Sequence, residues 1–474
     1  MKPLATERGH RKMVSSFFVF SDCRAGNILL YKEVSMDGTV IVGAGVAGLT
    51  AGYLLSRGGH KVIVMEKEDR VGGLARSFYY DDFIFDIGPH RFHTDDREVS
   101  AFIEEILGER KIILPRCSGV WMFGHYHDWP LNWKVLFKLP ASVILRTLPD
   151  LFSRKAQPGS SFEDYIVSRY GKTLYDVFFK PYTEKFLKLP PHRVHATWAE
   201  SGIDRAVIDK KVQMGSLFEV VKTALLPAPV KTNFLYPSDG GIDVFSKKMA
   251  LLIENNGGEV LLNTMVDAIE SEGSTIKAIH CHGRRIRPDL IIWTAPLTTL
   301  STLLRLPRPD ISYLSIILYN IEVRGPCRTR YQWCYYGQQD TTINRISVPA
   351  LFSERAAPQG RIGICAEVTC MEGDAAWTHP DGLVGTVIKD LIKVKLIKDE
   401  SEVEQVHIEK ILNTYPVYDI AYPRKLEKVM GLLAPYERLR LLGRTGTFWY
   451  NNMDHSIRMA LDLVHGLPVR RGGE

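Results

Sequence analysis

The chain has 474 residues, 45% of them hydrophobic, and a formal net charge of +6, a balance that suits a soluble globular protein long enough for two cores. Six basic groups face three acids in residues 1–36, so only +3 is left for the remainder, too mild and too evenly spread to suit nucleic acid. No apolar run approaches the roughly 18–20 residues that cross a bilayer, and seven scattered cysteines without a C-x-x-C fit a reducing cytoplasm rather than a disulfide framework or a zinc site.

Residues 1–36 read as a leader without fixed structure. The apolar stretch "VSSFFVF" is short for a signal peptide and polar "SDCR" follows it. Met36, directly before "DGTVIVGAG", is then the expected natural start.

Next, "TVIV" (39–42) predicts a buried strand, "GAGVAG" a tight turn, and "LTAGYLLSRGG" a helix with Leu49, Tyr53 and Leu54 inward. Gly43 permits the turn, Gly45 lets backbone N–H groups reach a pyrophosphate, and Gly48 lets the helix lie close to the strand. A second strand, "KVIVME", ends in Glu66, eighteen residues after Gly48, about where an acid meets a ribose hydroxyl. Val46, Ala47 and Lys67 flank these groups and are counted with the dinucleotide site. The glycine pair Gly72–Gly73 follows, then Leu74, Arg76 and Ser77. This loop resembles the extended FAD motif of the amine oxidase and protoporphyrinogen oxidase superfamily, where it runs along the diphosphate and ribityl chain. The resemblance implies FAD as cofactor, with Gly73, Leu74 and Arg76 among its contacts.

Further on, "FLYPSDGGIDVFSKKMALLIENNGGEVLLNTMVDAIE" predicts a loop, an amphipathic helix with Val244, Met249, Leu252 and Ile253 inward, a turn at Gly257–Gly258 and a strand. "PDLIIWTAP" is a further buried strand, and the last segment reads as strand, loop and helix. The fold class is therefore α/β: a Rossmann-like, discontinuous FAD-binding domain (37–105, 232–300 and 436–474) with an inserted α+β substrate domain (106–231 and 301–435). The first insert reads as helix-rich, broken by Pro140, Pro149 and Pro158. The second alternates like strands.

At "GPHRFHT" (88–94) the chain resembles the UDP-galactopyranose mutases, which carry "GPHIFHT" beside the flavin. "DWPLNW" (128–133), "SFEDYIVSRYGKTLYDVFFKPYTEKF" (161–186), "INRISVPALFSE" (343–354), "TYPVYD" and "GRTGTFWYNNMDHSI" are similar to further segments of that family, so the likeness spans 37–465. In those mutases the reduced flavin N5 attacks the anomeric carbon and the sugar ring recloses with no net redox. The resemblance implies His90 and Pro89 against the flavin ring, Gly443 and Arg444 near it, and Tyr450 and Arg345 toward a sugar diphosphate. His90, Arg345 and Tyr450 are the implied catalytic set. It further implies cofactor contacts from Val266, Asn452, Met453, Asp454, Ser456 and Ile457, with N–H groups of Asp454 to Ile457 facing the flavin N1–C2=O edge. Three departures stand out: Leu187 where the family has a tryptophan, Ser201 where it has an arginine, and Asn452 for its aspartate. A UDP group needs base stacking and paired cations, so these losses argue against UDP-galactopyranose itself.

His125 and His127 share a strand face without a third ligand, so no metal is expected. Tyr335, Tyr336, Tyr415 and Tyr418 read as core or pocket lining. Without G-x-S-x-G or a Cys–His arrangement, acyl transfer finds no support. The first functional expectation is an FAD-dependent oxidoreductase that takes a hydride from a small molecule to flavin N5. The alternatives are a non-redox mutase-like sugar isomerase using reduced FAD, with a nucleotide sugar among its candidate substrates, and a non-catalytic flavin-binding protein.

Overall fold

The computed structural model describes residues 17–20, 29–35, 38–129, 135, 137–152, 159–201 and 233–467. A five-stranded parallel sheet runs in the order Glu259–Leu261, Val62–Met65, Thr39–Val42, Leu290–Trp293, Leu439–Leu441. Its strands come from the three separated segments that the sequence reading joins. Side chains alternate along a strand, so Val40, Val42, Ile63, Met65 and Ile291 enter one core while Ile41, Val64 and Ile292 enter another. Apolar burial on both faces is what a parallel sheet requires.

The helices Val46–Arg57, Asp243–Asn255 and Met453–His465 cover the second face through Leu49, Met249, Ile253, Ile457 and Ala460. Within the middle helix Phe245, Met249 and Ile253 point inward, while Val244 and Leu252 are only half-buried, a shift from the expected stripe. Asn233–Pro237, expected as a loop, is a strand paired antiparallel with Lys111–Pro115.

The second layer is a seven-stranded sheet ordered Val403–Pro416, Tyr313–Arg324, Arg361–Cys370, Arg345–Ser347, Trp333–Tyr336, Ser118–Met122, His125–Trp129. All neighbours are antiparallel except the pair Trp333–Tyr336 and Ser118–Met122. The segment from 106 therefore opens with strands, not helices; its helices Phe162–Leu174 and Lys180–Leu187 come later. Pro149 lies inside the helix Ala141–Phe152 instead of ending it, and Pro158 lies outside the described residues, as do 130–133 of "DWPLNW".

A third sheet joins Ala268–Glu272, Thr275–Cys281 and Arg284–Arg287. Two stretches of the leader extend it: Leu29–Ser35 pairs parallel with Arg284–Arg287, and Phe17–Phe20 pairs antiparallel with Leu29–Ser35. The expectation of an unstructured leader is corrected there, because an open strand edge gives these residues backbone partners. The rest of 1–36 lies outside the described residues, apart from these strands.

The hairpin Ser77–Tyr80/Phe83–Asp86 is tied to the rest by Asp86. Its buried carboxylate accepts from Ser77 Oγ at 2.6 Å, Tyr236 O–H at 2.7 Å and Ile242 N–H at 3.0 Å. Burial lifts the carboxyl to about 6 against these donors. A raised native value means that its contribution to stability is fully present below the unfolded value of 3.8 and is lost as pH rises through about 6. Asp86→Ala leaves three donors without an acceptor and is expected to cost on the order of 3–5 kcal/mol. Asp86→Asn should cost less and flatten the stability slope between those pH values. Urea unfolding at pH 4.5 and 7 checks both.

Candidate active site

The glycine turn is held by backbone bonds. Gly43 N–H donates to Met65 O, and Gly72 N–H donates to Ala44 O, each at 2.8 Å. Gly43 has φ +103°, and a Cβ on Gly48 would stand 2.1 Å from Gly43 O. Gly45 starts the helix without a side-chain cap and without an acid in the first turn, so its free N–H groups suit an anion. Opposite, a Cβ on Gly73 would stand 3.0 Å from Gly45 Cα. Val46 and Ala47 are buried behind this turn.

Glu66 is buried at the end of its strand and accepts from Ala44 N–H at 2.8 Å and Glu68 N–H at 3.1 Å. A carboxylate has about four acceptor sites, so some remain. Thr264 N–H donates to Glu66 O at 2.7 Å, which brings buried Val266 alongside. Lys67 turns to solvent and pairs with Glu68 at 3.3 Å, away from the turn. Arg76 lies over the Phe78 ring at 5.5 Å, its buried Nε without a partner.

Beyond the loop lies a cavity of about 340 Å³. Leu74, Pro89, His90, Arg345, Arg444, Tyr450, Asn452, Met453 and Asp454 are among the residues that line it. Burial and the charges of Arg444, Arg345 and Arg91 push His90 down to about 3, so its ring is neutral at physiological pH. Its Nδ1 is buried without a partner. Arg444 donates to the carbonyls of Thr414 and Asn451 and lies over the Tyr450 ring at 5.0 Å. Tyr450 in turn stacks on Trp198 at 5.1 Å. Gly443, at φ +75°, sits against Ala47, where its own Cβ would come within 3.0 Å.

One expectation is corrected, for the last helix. Arg345, which lines the cavity, faces Glu367 across paired strands and binds it twice, at 2.6 and 2.7 Å, with Tyr415 Oη at 3.2 Å. Its charge is already answered by a carboxylate. Ser456 and Ile457 do not line the cavity: Ser456 N–H donates to Asn452 O at 3.2 Å as the first rung of the helix, and Ile457 is in the core. The open N–H groups at this end belong to Met453 and Asp454. Sequence reasoning missed Arg91 and Glu367 as site residues. An acid inside the apolar run "ICAEVTC" is the signal that could have found Glu367.

An uncapped helix start, a close backbone approach at Gly73, partnerless buried nitrogens on Arg76 and His90, and an adjoining cavity together fit a flavin dinucleotide. Residues 46–408 match the family described as Flavin containing amine oxidoreductase. The chain belongs to that family. FAD is its cofactor.

Among curated relatives of this amine oxidoreductase family member, the L-amino-acid oxidase of Sistrurus catenatus edwardsii is 38% identical over 84 residues, which cover 18% of this chain and 16% of that protein. A probable UDP-galactopyranose mutase of Klebsiella pneumoniae is 28% identical over 169 residues, 33% of this chain and 43% of its own. Both are thus matched over less than half their length. Reduced UDP-galactopyranose mutase superposes with a TM-score of 0.79 at 22% identity, covering 92% of this chain and 98% of that one. A putative protoporphyrinogen oxidase from Exiguobacterium sp. 255-15 gives 0.71 at 18% identity over 91% and 98%. These superpositions are likenesses of fold. The expected mutase-like flavoprotein of the amine oxidase superfamily is met at that level. Among the described residues no helix is long and apolar enough to cross a membrane.

Gly48→Ala forces a Cβ to within 2.1 Å of a backbone oxygen and is expected to abolish FAD retention. Gly382→Ala, where nothing lies within 4 Å, should retain it. Flavin released per chain on denaturation, with circular dichroism to verify folding, provides the measurement.

Proposed function

We propose that this family member is an FAD-dependent oxidoreductase that takes a hydride from a small molecule seated in the cavity at the start of the last helix. One observation carries this reading. The uncapped helix start and the adjoining cavity suit FAD, while Leu187 and Ser201, at the positions where the mutases have an aromatic and a cation, are both buried. When bound, FAD supplies a two-electron acceptor at N5. Around it, neutral His90 contributes one donor and one acceptor without charge. The N–H groups of Met453 and Asp454 offer the positive end of a helix dipole. Tyr415 and Tyr450, edge to face at 5.3 Å, wall the cavity and exclude water from the substrate.

A second reading is a sugar mutase that uses reduced FAD without net redox. It is supported by Arg345, Arg444 and Tyr450 meeting at one cavity and by the extent of the fold likeness to reduced UDP-galactopyranose mutase. The two differ in what starts the chemistry. Under anaerobic conditions an oxidoreductase is expected to lose its flavin colour on adding the right donor alone. A mutase stays yellow with every donor, and converts a nucleotide sugar to an isomer of equal mass only after dithionite reduction. Absorbance and product mass over a panel of amines, hydroxy acids and nucleotide sugars separate them; bleaching by no donor sinks the first reading.

A further inference from the structure

Lys185 is a cation deep in the fold, on the helix Lys180–Leu187, and only 6% exposed. Its ammonium donates to Tyr336 O at 3.0 Å, Gln338 O at 2.9 Å and Thr341 Oγ1 at 2.8 Å. Among the described residues no carboxylate comes within ion-pair distance of it; Asp340 pairs instead with Lys393 at 2.6 Å. The three acceptors lie in one stretch of chain, the end of the strand Trp333–Tyr336 and the loop that leads from it to Arg345–Ser347. Asp390, on the helix Val384–Lys393, grips the same loop. Its carboxylate accepts from Thr342 N–H at 2.6 Å and Ile343 N–H at 3.3 Å. Two residues after Ile343 stands Arg345, in the lining of the cavity. At the start of the loop a Cβ on Gly337 would stand 3.1 Å from Cβ of Tyr182, three residues before Lys185 on its helix. Tyr182 in turn meets the Tyr335 ring edge-on at 5.9 Å. Helix, loop and the strand that carries Arg345 are thus held as one unit.

An ammonium has three N–H groups, and this cradle has three acceptors. A neutral amine has two N–H groups and turns a lone pair toward the third acceptor. The fit of the loop therefore depends on the proton. Burial pulls the lysine down to about 7; Asp390 and Asp340 favour its charged form, and Lys188 and Lys393 oppose it. From the strands packed here, Tyr336 offers its carbonyl while burial keeps its phenol protonated, and Thr369 Oγ1 donates to Phe186 O at 2.7 Å.

We propose that Lys185 is a positioning residue: its ammonium holds the 337–343 loop, and through it Arg345, in place at the cavity, and this wall loosens when the proton leaves. The inference rests on the reading of this cavity as the substrate site beside FAD. It adds a control of that site by pH.

The test uses the full chain loaded with FAD. Flavin fluorescence and near-ultraviolet circular dichroism are followed from pH 5.5 to 9 in wild type, Lys185→Met, Lys185→Arg and Asp390→Asn, with free FAD as the control and FAD content used to normalise the signal. In wild type a transition of the bound flavin signal is expected near pH 7. Lys185→Met should abolish it and keep the high-pH signal throughout. Lys185→Arg, charged at every pH in this range, should keep the low-pH signal. Asp390→Asn retains an acceptor for the two loop N–H groups but loses the charge that favours the ammonium, so its transition should move about one unit lower. That shift decides the matter if Lys185→Met fails to fold. His93 and His455 also line the cavity, so the lysine's share is the part that these variants remove or move. A transition unchanged in Lys185→Met or unmoved in Asp390→Asn overturns the proposal, as does a flat wild-type signal. A pH transition with bleaching by no donor removes the oxidoreductase reading alone; bleaching with a flat profile removes this inference alone.

Discussion

At Gly73 the loop backbone comes so near the glycine turn that a Cβ there would stand 3.0 Å from Gly45 Cα, and the rest of the site follows from that contact. Gly45 and Gly72 form a parallel bridge, and Gly72 N–H reaches Ala44 O at 2.8 Å. Residues 71–76 can therefore lie against the uncapped start of the Val46–Arg57 helix. The same loop leads directly into the hairpin 77–86, whose last residue is the Asp86 hub, and then into Ile87–Thr94, which supplies one side of the cavity. A side chain at Gly73, whose φ is +56°, would push the loop away and carry His90 and Arg91 with it. The cofactor cradle and the substrate wall are mechanically continuous.

The opposite wall depends on strand register. Arg345 and Glu367 are direct partners in the antiparallel pair Arg345–Ser347/Arg361–Cys370. Side chains alternate across a strand, so a slip of one residue would send one member of the pair to the other face. Breaking a buried pair by removing one partner costs far more than its net worth, since the other charge is left stranded. The pair therefore fixes the register of the sheet at the cavity. It also leaves the wall polar but neutral there.

What the sequence made legible divides along the same line. The glycines, Glu66 and the strand "TVIV" lie within thirty residues, and their geometry is set by local sterics, so the turn could be read directly. The cavity wall could not. Arg345 could be named from a resemblance, but Glu367 is 22 positions away and meets it only through sheet pairing. The resemblance implies cofactor contacts from Ser456 and Ile457, yet helix phase turns Ile457 into the core on the Val46–Arg57 side of the sheet. The same kind of phase error put Val244 where Phe245 belongs. Leader strands were invisible because Phe17–Phe20 and Leu29–Ser35 have partners only in the folded chain.

This division bears on how such a fold changes substrate. Helix Lys180–Leu187 is anchored by Lys185, whose buried ammonium donates to Tyr336 O, Gln338 O and Thr341 Oγ1 at 3.0, 2.9 and 2.8 Å. Burial pulls this lysine down to about 7, against the charge of Asp390, which favours its ammonium form. With the helix pinned, it cannot rotate to present another residue where Leu187 sits in the core. An aromatic platform could return there only by substitution at that position and repacking around it. None of these contacts involves the glycine turn or Glu66. Substitutions on the inserted layer can thus change the wall that this layer supplies while the FAD cradle, built from other backbone contacts, is left as it was.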